Sequence, residues 1–116
     1  MCIRDRRYGI PEHIILGIIH VESSGNPDAR GFSEEFGLMQ LTIPALQDIN
    51  MIDVNYLDPE TNIHAGTKYL KYLYTKTNNL DTAIRAYNVG LTKALDSQYA
   101  GIEYLKKVKD LAKQYE

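Results

Sequence analysis

The chain holds a single cysteine, Cys2, and no tryptophan among its 116 residues. With one thiol no intramolecular disulfide can form, so the fold does not depend on an oxidising compartment. There is no excess of positive charge: thirteen Lys and Arg face fifteen Asp and Glu, for a net charge of -2. Without a basic field to attract a phosphate backbone, nucleic acid is excluded as the expected partner. Long hydrophobic runs are missing too. The longest, Ile14 to Ile19, falls far short of the roughly 20 residues a membrane span needs. Met1–Arg7 is charged but is not followed by an apolar stretch and a small-residue cleavage site in the order of a signal peptide. Residues 1–7 read as a tail of doubtful origin, and residues 8–116 as the working domain. Strand-like alternation of useful length, internal repeats and low-complexity linkers are absent as well.

What is present is an ordinary globular composition, 44% apolar and 24% charged, in a length that suits one domain. Pro11 suits the first turn of a helix and Glu12 its positive end. Ile14, Ile15, Ile18, Ile19 and Val21 then follow on a helical period. Ser24-Gly25-Asn26-Pro27 is turn chemistry that stops this helix. Pro44 is expected to open a short helix reaching Ile49. Asp58-Pro59 reads as cap and first residue of a longer helix carrying Ile63, Gly66, Tyr69, Leu70 and Leu73. Gly66 inside that helix suggests the close approach of another backbone. Asp81 is a candidate cap for a helix over residues 82–88, ended by Gly90. Tyr104, Leu105, Val108 and Leu111 mark a last helix, about 101–114.

Glu22 lies in the last turn of the first helix. A helical glutamate is ordinarily a solvated face residue. Here two nearly apolar turns precede it and a glycine turn follows, which leaves its carboxyl at the rim of the core. Desolvation there raises the pKa. A carboxylic acid still protonated near neutral pH is what glycoside cleavage needs at the leaving oxygen.

Four motifs in order make the chain resemble the soluble lytic transglycosylase family of the lysozyme-like superfamily. They are Glu22-Ser23 with Gly25-Asn26-Pro27; Gly37-Leu38-Met39-Gln40 with Pro44-Ala45; Asn62-Ile63, Ala65-Gly66 and Tyr69-Leu70; and Ala86-Tyr87-Asn88 with Gly90. The resemblance runs from about Tyr8 to Lys113. It implies a mostly α, lysozyme-like (α+β superfamily) single domain of about six helices with little or no sheet. It implies cleavage of the β-1,4 bond between N-acetylmuramic acid and N-acetylglucosamine in peptidoglycan, with a 1,6-anhydro product and no metal or cofactor.

By resemblance, Glu22 is the catalytic acid/base. Ser23 holds the local turn and polarises the sugar's N-acetyl group, or is simply a helix-end hydroxyl. Met39 is a wall of the sugar site or a core methionine. Gln40 lines the cleft. Tyr87 directs its hydroxyl at the glutamate, or is a core aromatic. Asn88 holds a turn or touches the sugar. The chain departs from its relatives where Ala100-Gly101 replaces a Glu-Thr pair, in the Gly31–Phe36 loop, and at Leu91-Thr92 in place of Pro-Gly. Any aromatic sugar platform must be tyrosine or phenylalanine, with Tyr56, Tyr72 and Tyr99 as candidates.

Most glycosidases use two carboxylates. Asp28, Glu34 and Glu35 read as solvated loop residues, so a single acid with assistance from the substrate is the expectation. His13 and His20 are about 10 Å apart along one helix, too far to share a metal ion at ligand distances of about 2 Å. A goose-type lysozyme-like hydrolase on the same fold, or an inactive glycan-binding module, are the competing readings. Peptidoglycan glycan strands are the implied partner. A monomer is expected, alone or within a larger protein or a secretion or phage assembly. Its place is the periplasm, the cell surface or the exterior.

Overall fold

The computed structural model describes residues 9–31, 34–51 and 53–116. The N-terminal tail and Tyr8 lie outside the described residues, as do two positions of the Gly31–Phe36 loop.

Helix α1 is Glu12–Ser23, entered through Pro11 in extended conformation and ended by Ser24 at φ 53°. It buries Ile14, Ile15, Ile18 and Ile19. Helix α2 is Ile43–Asp48, capped by Thr42, whose side chain accepts from the Ala45 N–H at 3.2 Å. Helix α3 is Pro59–Thr77, and Asp58 caps it as expected, accepting from the Thr61 N–H at 3.0 Å. Helix α4 is Leu80–Val89. Its cap is Asn79, not Asp81: Asn79 Oδ1 accepts from the Thr82 N–H at 2.9 Å. Asp81 already sits inside the first turn and pairs with Lys109 at 3.2 Å. Helix α5, Leu91–Asp96, follows directly from Gly90 at φ 94°. Its six residues carry too little periodicity to stand out in the sequence. Helix α6, Ile102–Ala112, runs into a 3₁₀ turn, Lys113–Tyr115. Among the described residues the fold is therefore six α-helices with no sheet, only isolated bridges of Phe36 to Arg30 and to Leu41.

The most extensive helix pairing is α1 on α6. Gly17 makes it possible: a Cβ there would lie 2.6 Å from the Val108 carbonyl oxygen and 3.3 Å from Ala112 Cβ. The close backbone approach expected at Gly66 occurs at Gly17 instead. What fills the space over Gly66 is a side chain, Met39, whose Cε and Cβ would lie 2.8 and 2.9 Å from an added Cβ.

Around α1, α4 and α6 lies the main core, with Ile15, Ile18, Leu70, Ile84 and Val108 fully enclosed. Leu41, Leu46, Ile49 and Ala65 form a smaller cluster under α2. Arg85 is buried, and its guanidinium donates to the carbonyls of Ser97 (2.9 Å), Ala100 (2.8 Å) and Ala94 (3.3 Å). Those bonds tie the turn between α5 and α6 down onto α4. They place α6, and hence Tyr104, against α1.

Candidate active site

The end of α1 carries Glu22 to the wall of a cleft of about 230 Å³, lined also by Glu35, Gln40, Tyr69, Tyr87 and Asn88. Its carboxyl is pushed up to about 7, chiefly by desolvation. The hydroxyl of Tyr104 opposes that rise, and the charge of Glu35 adds to it. Tyr104 donates to Glu22 Oε2 at 2.8 Å. A donor to a carboxylate favours its charged form and fixes its direction.

The sequence expectation gave that hydroxyl to Tyr87. The structure corrects it: Tyr87 donates to the Met39 carbonyl at 2.7 Å. The reason is where the helices lie. Tyr104 stands on α6, which packs along α1, whereas Tyr87 on α4 leans over the Gly37–Gln40 loop. Tyr87 remains on the cleft wall, with its ring centre 5.6 Å from that of Tyr69. Burial, and next the nearby Glu22, raise the Tyr87 hydroxyl well above its usual range, so it acts as a neutral donor. Tyr104 had shown only as a core position at helical spacing. The available signal was its phenol group: a buried tyrosine hydroxyl needs a polar partner.

Met39 does not face the cleft. It is fully buried against Gly66, so its side chain is core, and the expectation of a sugar-site wall is corrected. Its backbone does the positioning. The Met39 N–H donates to Asn62 Oδ1 at 2.7 Å, and its carbonyl accepts from Tyr87. Gln40 lines the cleft in a left-handed conformation, φ 49°, which is uncommon for a residue with a Cβ. Both amide hydrogens are committed: Nε2 donates to Ala29 O at 3.0 Å and Gly37 O at 2.8 Å. The amide oxygen is left as its acceptor.

Ser23 Oγ reaches the Leu38 carbonyl at 2.7 Å, with the Ile19 carbonyl at 3.1 Å, and accepts from the Gly25 N–H at 3.2 Å. The hydroxyl thus locks the end of α1 to the Gly37–Gln40 loop. Asn88 is exposed at the cleft rim. Of the proposed aromatic platforms, Tyr72 stacks on Tyr69 at 6.1 Å, Tyr56 packs on Phe36 at 4.8 Å, and Tyr99 is 75% exposed.

Glu35 departs from its reading as a solvated loop residue. It is half-buried and lines the cleft with Glu22, while Asp28 and Glu34 are exposed. No group of three His, Cys, Asp or Glu is placed to hold a metal ion among the described residues.

If Tyr104 tempers the rise in Glu22, its removal has a definite sign. In Tyr104→Phe the Glu22 carboxyl loses its donor and rises further. The alkaline limb of the pH–rate profile then moves to higher pH, with a roughly tenfold loss of rate from the freed carboxyl. A limb that stays in place or moves to lower pH would show that the hydrogen bond does not govern Glu22.

A carboxyl pushed up to about 7 and oriented by a phenol in an open cleft gives this small helical domain a group suited to acid–base chemistry. The chain belongs to the transglycosylase SLT domain family, whose profile matches residues 2–100. It is 40% identical over 118 residues to a membrane-bound lytic murein transglycosylase C of Mannheimia succiniciproducens, covering 82% of this chain and 33% of that protein. A transglycosylase of Enterobacteria phage PRD1 is 30% identical over 88 residues, with 76% and 32% covered. Among solved structures, an inactive mutant of the lytic transglycosylase Slt of Pseudomonas aeruginosa shares the fold at a TM-score of 0.82 and 22% identity, over 95% of this chain and 22% of that one. The 70 kDa soluble lytic transglycosylase of Escherichia coli matches at 0.76 and 28% identity, over 95% and 23%. The chain spans about a third of the length of the curated relatives it matches.

Proposed function

We propose that this domain cleaves the glycan strands of peptidoglycan as a lytic transglycosylase. The observation that carries the reading is Glu22 itself, with its carboxyl held near 7 by burial, aimed by Tyr104 and open to the cleft. Membership in the transglycosylase SLT family supports the substrate class.

Protonated Glu22 donates its proton to the glycosidic oxygen between N-acetylmuramic acid and N-acetylglucosamine, and the bonding pair leaves with that oxygen. The N-acetyl carbonyl of the muramoyl residue stabilises the cation left behind. Glu22, now a carboxylate, takes the proton of the C6 hydroxyl as its oxygen closes the 1,6-anhydro ring. The acid is regenerated and no water is consumed. Gln40 and Asn88 offer polar contacts to the sugars, and Tyr87 and Tyr69 an aromatic wall.

A hydrolase is the second reading. Its support is Glu35, because a second carboxylate in the cleft is what a two-acid glycosidase uses. Mass spectrometry of digested peptidoglycan separates the two. We expect anhydro-ended muropeptides. Reducing ends would make the domain a hydrolase, and no soluble product would make it a binding module. We propose that the domain acts on the wall outside the cytoplasm as a monomer, alone or as part of a larger protein or a secretion or phage assembly. No helix among the described residues is long and apolar enough to cross a membrane.

A further inference from the structure

Glu35 has a position that the proton transfers of Glu22 leave unexplained. Its segment is held at both ends. The Gly31 N–H donates to the Glu35 carbonyl at 2.9 Å. The next residue, Phe36, exchanges two backbone bonds with Leu41, each 2.9 Å, and packs its ring on Tyr56. The carboxylate is drawn back over Gly31. A Cβ on Gly31 would collide with Glu35 Oε1 and would lie 3.1 Å from Gln40 Oε1. The missing side chain thus makes room for two oxygen acceptors on one wall of the cleft. Among the described residues no lysine or arginine is ion-paired with Glu35. A half-buried carboxylate on a backbone held at both ends, without such a cation, is not the ordinary state of a surface glutamate.

We propose that Glu35 is a positioning residue for Glu22, an anion on the wall of the same cleft that adds to burial in holding Glu22 in its acid form until substrate takes the proton. The inference rests on Glu22 being the acid of the proposed reaction. Tyr104 of α6 donates its hydroxyl to Glu22 at 2.8 Å, and Tyr87 of α4 and Glu35 of the loop line the same cleft as Glu22. Both phenols remain neutral, since burial raises each well above its usual range. Glu35 is the one that brings a like charge, and a like charge disfavours the ionised partner. Its effect also serves the second half of the reaction. Once Glu22 has given up its proton, repulsion from Glu35 makes it a stronger base toward the attacking hydroxyl.

The test is a pair of measurements on wild type and Glu35→Gln. The first follows the Glu22 carboxyl by ¹³C NMR through a pH titration. The second records kcat and KM on peptidoglycan against pH. In Glu35→Gln the Glu22 midpoint falls, the alkaline limb of kcat moves to lower pH with it, and kcat near neutrality drops roughly tenfold with KM within about twofold. Gly31→Ala keeps the charge but displaces the carboxylate, and moves both readouts in the same sense. An unchanged Glu22 midpoint in folded Glu35→Gln overturns the inference. A shifted midpoint in a domain whose wild type releases no soluble product upholds the coupling and overturns the proposed reaction instead.

Discussion

Glu22→Gln should abolish glycan cleavage and raise the melting temperature at pH 8. The first effect follows from the absence of any proton to donate. A positioned acid–base group contributes about 10²–10⁴-fold to rate, and Glu22 serves both halves of the reaction, so the loss should approach 10³-fold or more. The second effect follows from linkage. The folded-state value of Glu22, about 7, lies above the ordinary glutamate value of 4.5. Between these values the folded protein binds a proton that the unfolded chain does not. That contribution to stability is fully present below about pH 4.5 and is lost as pH rises through 7. Above pH 7 the folded state carries a desolvated carboxylate, at a cost on the order of 3 kcal/mol. Glutamine keeps an acceptor for the Tyr104 hydroxyl and removes the charge. The variant should then melt roughly 5–10 °C above wild type at pH 8, with the two curves converging near pH 4.5. Thermal melts across that range, paired with muropeptide release, check both halves. Equal melting at pH 8 would mean that Glu22 is not desolvated, and undiminished cleavage would remove it from the site.

Asn62→Ala should be among the most destabilising single changes, by about 3–5 kcal/mol. Asn62 is fully buried in α3 and makes three bonds, two to the Phe36–Met39 segment and one to Tyr56 just ahead of its own helix. Its Oδ1 accepts from the Met39 N–H at 2.7 Å, and its Nδ2 donates to Phe36 O at 2.9 Å and Tyr56 O at 2.6 Å. Gly37, at φ 78°, lies so close that a Cβ would collide with the Asn62 amide. Alanine leaves one buried N–H and two carbonyls without these partners, each at a cost of about 1–3 kcal/mol. The same bonds seat Met39, whose carbonyl holds the Tyr87 hydroxyl. Activity should therefore fall further than the loss of folded protein alone explains. Urea denaturation gives the free energy, and a shift in midpoint worth less than about 1 kcal/mol would show that water or neighbouring groups replace the amide.

Much of the fold was legible because it is local chemistry. Pro11 and the Ser24–Pro27 turn bound α1, Asp58 caps α3, and the isoleucines of α1 mark its buried face. Each depends on groups a few residues apart, so spacing suffices to read it. The cap of α4 was misread by two residues because Asn79 and Asp81 are both good capping side chains. The backbone at Asn79, extended at φ -152°, decides between them. Helix α5 is too short for its period to show.

The site divides in the same way. That Glu22 ends a buried helix and meets a cleft follows from its neighbours in the chain. That Tyr104 rather than Tyr87 holds it does not, because both are aromatic positions at helical spacing and either could point inward. Their roles depend on how α4 and α6 lie against α1, which turns on Gly17 admitting the backbone of α6 and on Arg85 pulling down the turn before it. Likewise Met39 is core and Glu35 faces the cleft because of two missing side chains, at Gly66 and Gly31, on segments distant from or looped back on them. The sequence by itself determined five of the six helices, the family resemblance and the candidate acid. Only the tertiary structure decided what that acid touches, because a side chain's period within one helix says nothing of which neighbouring element it will meet.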